Sequence, residues 1–114
     1  MSDRISLGEI AHARSGDKGN HANIGVIAYT QSGFEYLEQE LTAERVAEFF
    51  AALQPSHVER FVLPGVRAFN FLLHDVLAGG ASRSLRIDSQ GKTLGLAALE
   101  LPLPRPADLD AMTG

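Results

Sequence analysis

The stretch VRAFNFLLHDVLAGG, Val66 to Gly80, decides the fold. Its apolar residues Val66, Phe69, Leu73 and Val76 recur at helical spacing, which makes one amphipathic stripe. Pro64 and Gly65 precede it, and Gly79 and Gly80 supply a stop. The spacing predicts a helix packed through that stripe, with the amide of Asn70 in the middle of an apolar segment. A buried amide left unpaired costs about 1–3 kcal/mol, so Asn70 needs a partner. Either a structural bond to a nearby loop, such as the segment Ser15 to Asn20, or contact with a ligand would provide one.

Working upstream, HVERFVLPG (57–65) reads as a strand stopped by Pro64 and Gly65. LTAERVAEFFAAL (41–53) carries Val46, Phe49, Phe50 and Leu53 on one helical face. Thr42 is its expected N-cap, Leu41 can staple onto Val46, and Pro55 follows its end. Residues 31–39 are polar and irregular in pattern and read as a connection. In ANIGVIAY (22–29), Ala22, Ile24, Val26 and Ala28 share one side of a strand, opposite Asn23, Gly25, Ile27 and Tyr29. Residues 5–14 alternate as a further strand, with Ile10, His12 and Arg14 on one face and Ala11 and Ala13 on the other.

Downstream, SLRIDSQGKTLGLAALEL (84–101) reads as a hairpin: Leu85 and Ile87 in one strand, a turn at Gln90 and Gly91, and 94–101 in the other. The resulting order is β-β-α-β-α-β-β. Two helices over one face of a mostly antiparallel sheet make an α+β two-layer sandwich, and a ferredoxin-like arrangement fits it best. Residues 1–101 form this single domain. Residues 102–114 form a tail in which Pro102, Pro104 and Pro106 cannot continue a ladder and favour an extended arm.

Such a sandwich leaves one sheet face without helices. With the alanine side of the first strand turned to the core, His12, Arg14 and Asn23 point to that open face, and Arg86 joins them by the same alternation.

The whole chain narrows the function classes. At 114 residues there is room for one core, and 45% apolar with 21% charged residues is ordinary for a folded domain. A net charge of -4 argues against general affinity for nucleic acid. The absence of cysteine excludes disulfides, thiolate nucleophiles and cysteine metal sites. No apolar run reaches the roughly 18 residues of a spanning helix, and the N-terminus lacks a signal-like apolar region, so a soluble, cytoplasmic protein is expected.

Among chemical candidates, Ser15-Gly16-Asp17-Lys18-Gly19-Asn20 can be a plain turn, with the glycines supplying positive φ and Asp17 bonding its own backbone. It can also be an anion-binding nest with Lys18 as a point charge. It is neither a phosphate loop, because no Gly-Lys-Ser/Thr leads into a helix, nor a convincing nucleic-acid G-x-x-G loop. His12, His21, His57 and His74 show no metal-ligand spacing, and each reads as a surface or half-buried polar residue; His12, beside Arg14, stays open as a proton carrier. Ser15 lacks the G-x-S-x-G elbow of a hydrolase. Arg83 lies in GGASRSL, a helix end first and an anion contact second. No catalytic residue, cofactor or metal is implied; the candidate ligand contacts are His12, Arg14, Ser15, Gly16, Asp17, Lys18, Gly19, Asn23, Asn70 and Arg83.

Taken together, AHARSGDKGNHANIGVIA (11–28) and LPGVRAFNFLLHDVLAGGASRSLRIDSQGKTLG (63–95) resemble the C-terminal ferredoxin-fold domain of the AtuA-type acyclic terpene utilisation family, in order from about Leu7 to Leu101. The family's S-G-D-K-G segment commonly ends in Asp where this chain has Asn20. The resemblance implies a link to catabolism of acyl-CoA derivatives of branched terpenoids. It also implies a free-standing module beside a separately encoded large domain or CoA-enzyme subunit. Two readings follow: a noncatalytic accessory module acting as a homo-oligomer or on a larger partner, and a small enzyme or binding protein for a CoA thioester or carboxylate.

Overall fold

The computed structural model describes residues 3–18, 21–75 and 94–113, with only the backbone described at 17 and 18. Its centre is a four-stranded antiparallel sheet in the order β2-β3-β5-β4, formed by β2 (Ala11–Lys18), β3 (His21–Ala28), β4 (His57–Leu63) and β5 (Ala68–His74). A short ribbon pairs β1 (Arg4–Ser6) with β6 (Pro102–Pro104). The helices are α1 (Gln31–Glu40), α2 (Ala43–Phe49), α3 (94–98) and α4 (Leu109–Met112).

The deciding stretch is a strand where helical spacing predicts a helix: residues 68–74 form β5, the central strand between β3 and β4. The segment satisfies both periods at once. Phe69, Phe71 and Leu73 alternate with Asn70, Leu72 and His74, and the first set is buried to 1% exposure or less. Aromatic residues suit a pleated sheet, and two neighbouring strands supply ladder partners along the whole segment. A tight turn over Pro64–Val66, ending at Arg67 with φ 54, joins β4 to β5 and sets Leu63 opposite Ala68. The connection from β3 through α1 and α2 to β4 leaves a gap that β5 fills, a split β-α-β unit. The α+β class with a mostly antiparallel sheet holds; the element order changes.

Residues 31–39, expected as a connection, belong to α1 instead. The Thr30 Oγ1 accepts the Gly33 N–H at 3.0 Å, and Phe34 and Leu37 are buried. Phe34 stacks on Phe69 with centroids 5.0 Å apart. Arg60 of β4 closes the other end of α1 by donating to the carbonyls of Glu38 and Leu41 at 2.9 and 3.0 Å, with its guanidinium 5.7 Å from the Phe69 ring centroid. Thr42 caps α2 as expected, accepting the Arg45 N–H at 3.1 Å, and Leu41 and Val46 are both buried.

At the N-terminus the expected strand over 5–14 is divided by a tight turn at Leu7–Glu9, so Ile10 is fully buried and does not share the face of His12 and Arg14. The second strand of the expected hairpin is α3 over 94–98; the Leu85/Ile87 strand, its turn and Arg86 lie outside the described residues. The proline tail does enter a ladder. Leu7 N–H donates to the Leu101 carbonyl and Arg105 N–H to the Asp3 carbonyl, so the bonds of the ribbon fall at alternate residues and Pro102 and Pro104 occupy positions that need no donor. Beyond it, Met112 of α4 is buried.

The core lies between one sheet face and the helices. Ala22, Ile24, Val26, Phe69, Phe71 and Leu73 meet Phe34, Leu37, Val46, Leu94, Ala98 and Leu101 in one cluster. No helix among the described residues is long and apolar enough to cross a membrane.

Candidate functional site: the open face of the sheet

Register places the residues of the opposite face in rows across the four strands. One row runs His12, Ile27, Ala68, Leu63; the next Arg14, Gly25, Asn70, Phe61; the third Gly16, Asn23, Leu72, Glu59. His12 and Arg14 are exposed and Asn23 is half-buried, so the expected orientation of these three holds. Exposed on the same face are Phe61 and Leu63, 46% and 47% accessible.

Asn70 reaches this face from a strand, not from a helix. Its Oδ1 accepts from Asn23 Nδ2 at 3.4 Å, a partner on the adjacent strand. Gly16, opposite Asn23, leaves room for that amide: a Cβ at Gly16 would come within 3.0 Å of Asn23 Oδ1. Gly25 lies between Arg14 and Asn70, and a Cβ there would meet nothing within 4 Å, so the space above its Cα is open. His12 stacks on Tyr29 with centroids 5.7 Å apart.

The segment expected as a turn is mostly strand. Ser15, Gly16, Asp17 and Lys18 all belong to β2 and pair with Ile24, Asn23, Ala22 and His21. β2 is an edge strand, so alternate backbone groups of these residues serve the ladder to β3. Ser15 falls on the helix side with Ile24, and the backbone of Lys18 pairs with that of His21. Gly19 and Arg83 lie outside the described residues. The fold thus places Arg14, Asn23 and Asn70 on one face, with the two amides bonded to each other, and turns Ser15 to the other face.

The fourth row had no counterpart in the sequence reading. His57 pairs with His74, and His21 stands on the far side of His74; their ring centroids are 5.4 and 4.7 Å from that of His74. His74 Nε2 lies 2.7 Å from Glu59 Oε1, and the Asp75 N–H donates to His21 Nδ1 at 3.1 Å. Three of the four histidines, far apart in sequence, meet because β3, β5 and β4 are neighbours. Reading 68–74 as a strand is the signal that would have found them. Among the described residues, no group of three or more His, Asp or Glu is placed to hold a metal ion.

Away from this face, a groove of about 360 Å³ runs between α2 and β6, lined by Arg4, Arg45, Phe49 and Pro102 among others. Arg45 is tied down there, donating to the Glu40 carbonyl and to its Oε1 at 2.8 and 3.3 Å. Tyr36 on α1 donates to the Pro104 carbonyl. Burial first, and then the Glu40 carboxylate, raise its pKa above the usual 10.0, with Arg45 opposing.

An antiparallel sheet with one face under helices and the other, among the described residues, carrying paired amides and a histidine row defines an α+β module of the ferredoxin-like class. Residues 5–104 match the model of the AtuA ferredoxin-like domain, and the chain belongs to that family. A search of curated proteins found no match, and neither did a search of solved structures.

Proposed function

We propose that this chain is a noncatalytic accessory module, cytoplasmic and linked to the catabolism of acyl-CoA derivatives of acyclic terpenoids or other branched acyl groups, which acts through its open sheet face. The observation that supports this most is the apolar surface left on that face: Phe61 and Leu63 nearly half exposed, beside Ile27 and Leu72 and next to the exposed Val66 of the β4–β5 turn. A contiguous apolar patch on a sheet is covered by protein in most settings that keep it. A second copy packing face to face covers it with a self-complementary pairing, about 10 Å between sheets.

Light scattering tests this reading. The wild type is expected at twice the chain mass, and Phe61→Lys with Leu63→Lys at the chain mass, with the circular dichroism of the fold retained. A wild type that stays monomeric at high concentration, and does not associate with a coexpressed AtuA-type large domain or CoA-enzyme subunit, overturns the reading.

A second reading rests on the row Arg14, Gly25, Asn70 with Asn23 beside it. A guanidinium, two amides and the vacant space over Gly25 suit the carboxylate or thioester carbonyl of a small ligand, with His12 as a proton carrier. A CoA thioester or carboxylate bound there raises thermal stability by about 2.7 kcal/mol at a hundredfold excess over its dissociation constant. Arg14→Ala is expected to abolish that rise; a panel of acyl-CoAs and carboxylates without effect on the wild type removes this reading.

A further inference from the structure

Asp75, which follows β5, is held by two clasps among the described residues. Asp75 has φ 65, a left-handed backbone that costs a residue with a side chain about 1 kcal/mol or more. On one side Ser56 holds it, its hydroxyl donating to the Asp75 carboxylate and its N–H to the His74 carbonyl at 3.1 Å. On the other side the Asp75 N–H donates to His21 Nδ1 at 3.1 Å. Only an unprotonated imidazole nitrogen accepts a hydrogen bond; an imidazolium presents N–H at both positions.

From this geometry we infer that His21 is an acid-sensitive latch on the Asp75 turn. Neutral His21 holds Asp75; a proton on Nδ1 sets donor against donor and opens that clasp, leaving a left-handed Asp75 restrained, among the described residues, by Ser56. The charged and titratable groups around His21 among the described residues are few. From β5, His74 lies edge-on with ring centroids 4.7 Å apart, and its Nε2 is held by Glu59 of β4; His57 of β4 flanks His74 on the other side at 5.4 Å. From β2, Lys18 stands opposite His21 in register. The Asp75 carboxylate is engaged by Ser56. An imidazolium at His21 therefore faces a second ring that also carries charge when protonated, and the Glu59 carboxylate of the neighbouring row is held against that other ring. The sign is fixed: acidification releases the turn, and alkaline conditions hold it. The latch rests on these bonds alone and stands whether or not the open face is covered.

The test is nitrogen-resolved NMR of the full chain between about pH 8 and about pH 5, a span that brackets histidine titration. At the upper end, His21 is expected as the Nε2–H tautomer with Nδ1 as acceptor. As His21 takes up its proton, the Asp75 amide is expected to lose about tenfold in exchange protection, corrected for intrinsic exchange. His21→Gln, which cannot titrate, abolishes that step; His74→Gln leaves it in place. An Nδ1–H tautomer at the upper pH, flat Asp75 protection while His21 titrates, or an unchanged step in His21→Gln each overturns the latch. Should His21→Gln fail to fold, the wild-type tautomer and its co-titration with the Asp75 amide decide alone.

Discussion

Gly95 is the residue on which the contact of α3 with the sheet depends. A Cβ there would stand 3.0 Å from the Arg14 carbonyl carbon, 3.1 Å from the Ser15 nitrogen and 3.2 Å from Arg14 Cα. All three are backbone atoms of β2, so none can rotate aside. Alanine in place of glycine gains about 1 kcal/mol of helix propensity, but overpacking against a fixed backbone costs about 1–3 kcal/mol. Gly95→Ala is therefore expected to lower stability by about 1 kcal/mol in urea unfolding, with an unchanged slope. Gly25→Ala is the control, since its new methyl meets open space; equal losses in the two variants would contradict this packing. The same scale explains Asn70. That this amide needs a partner was legible in its apolar neighbours, but the partner's identity was not, because Asn23 comes within reach only when the two residues lie on adjacent strands.

Elements were legible where one period dominated. β3 alternates without exception and forms as the alternation predicts; α2 starts at the capping Thr42 as expected but ends at Phe49, with Leu53 in a separate tight turn over Ala51–Leu53. β5 was misread because Phe69 and Leu73 satisfy a helical and a strand period together, and the arbiter between them is the pair of flanking strands, which is not local information. α1 was missed because its exposed face is so polar that only Phe34 and Leu37, with the Thr30 cap, mark the buried side. The open face was legible in part: the alternation of β2 and β3 placed His12, Arg14 and Asn23, but the histidine row depends on the strand order. At this scale Thr42→Ala tests the start of α2. The loss of the cap at 3.1 Å is expected to cost about 1 kcal/mol, and Thr42→Ser to cost little. Equal destabilisation by both substitutions would mean that the methyl group and not the hydroxyl matters.

The whole molecule is asymmetric about its sheet. One face is sealed by α1, α2 and α3 over a continuous cluster, while the other presents Ile27, Phe61, Leu63 and Leu72 around the Asn23–Asn70 pair and ends in three histidines. A soluble paramagnetic probe reports coverage of that face most directly, through the methyl signals of Ile27, Leu63 and Leu72 at concentrations where the mass is that of a dimer. Face-to-face pairing of two sheets would give relaxation as weak as that of the buried Leu73, returning to full strength in the Phe61→Lys, Leu63→Lys chain at Ile27 and Leu72. Strong relaxation at all three methyls in the wild-type dimer would place its contact elsewhere and contradict the account.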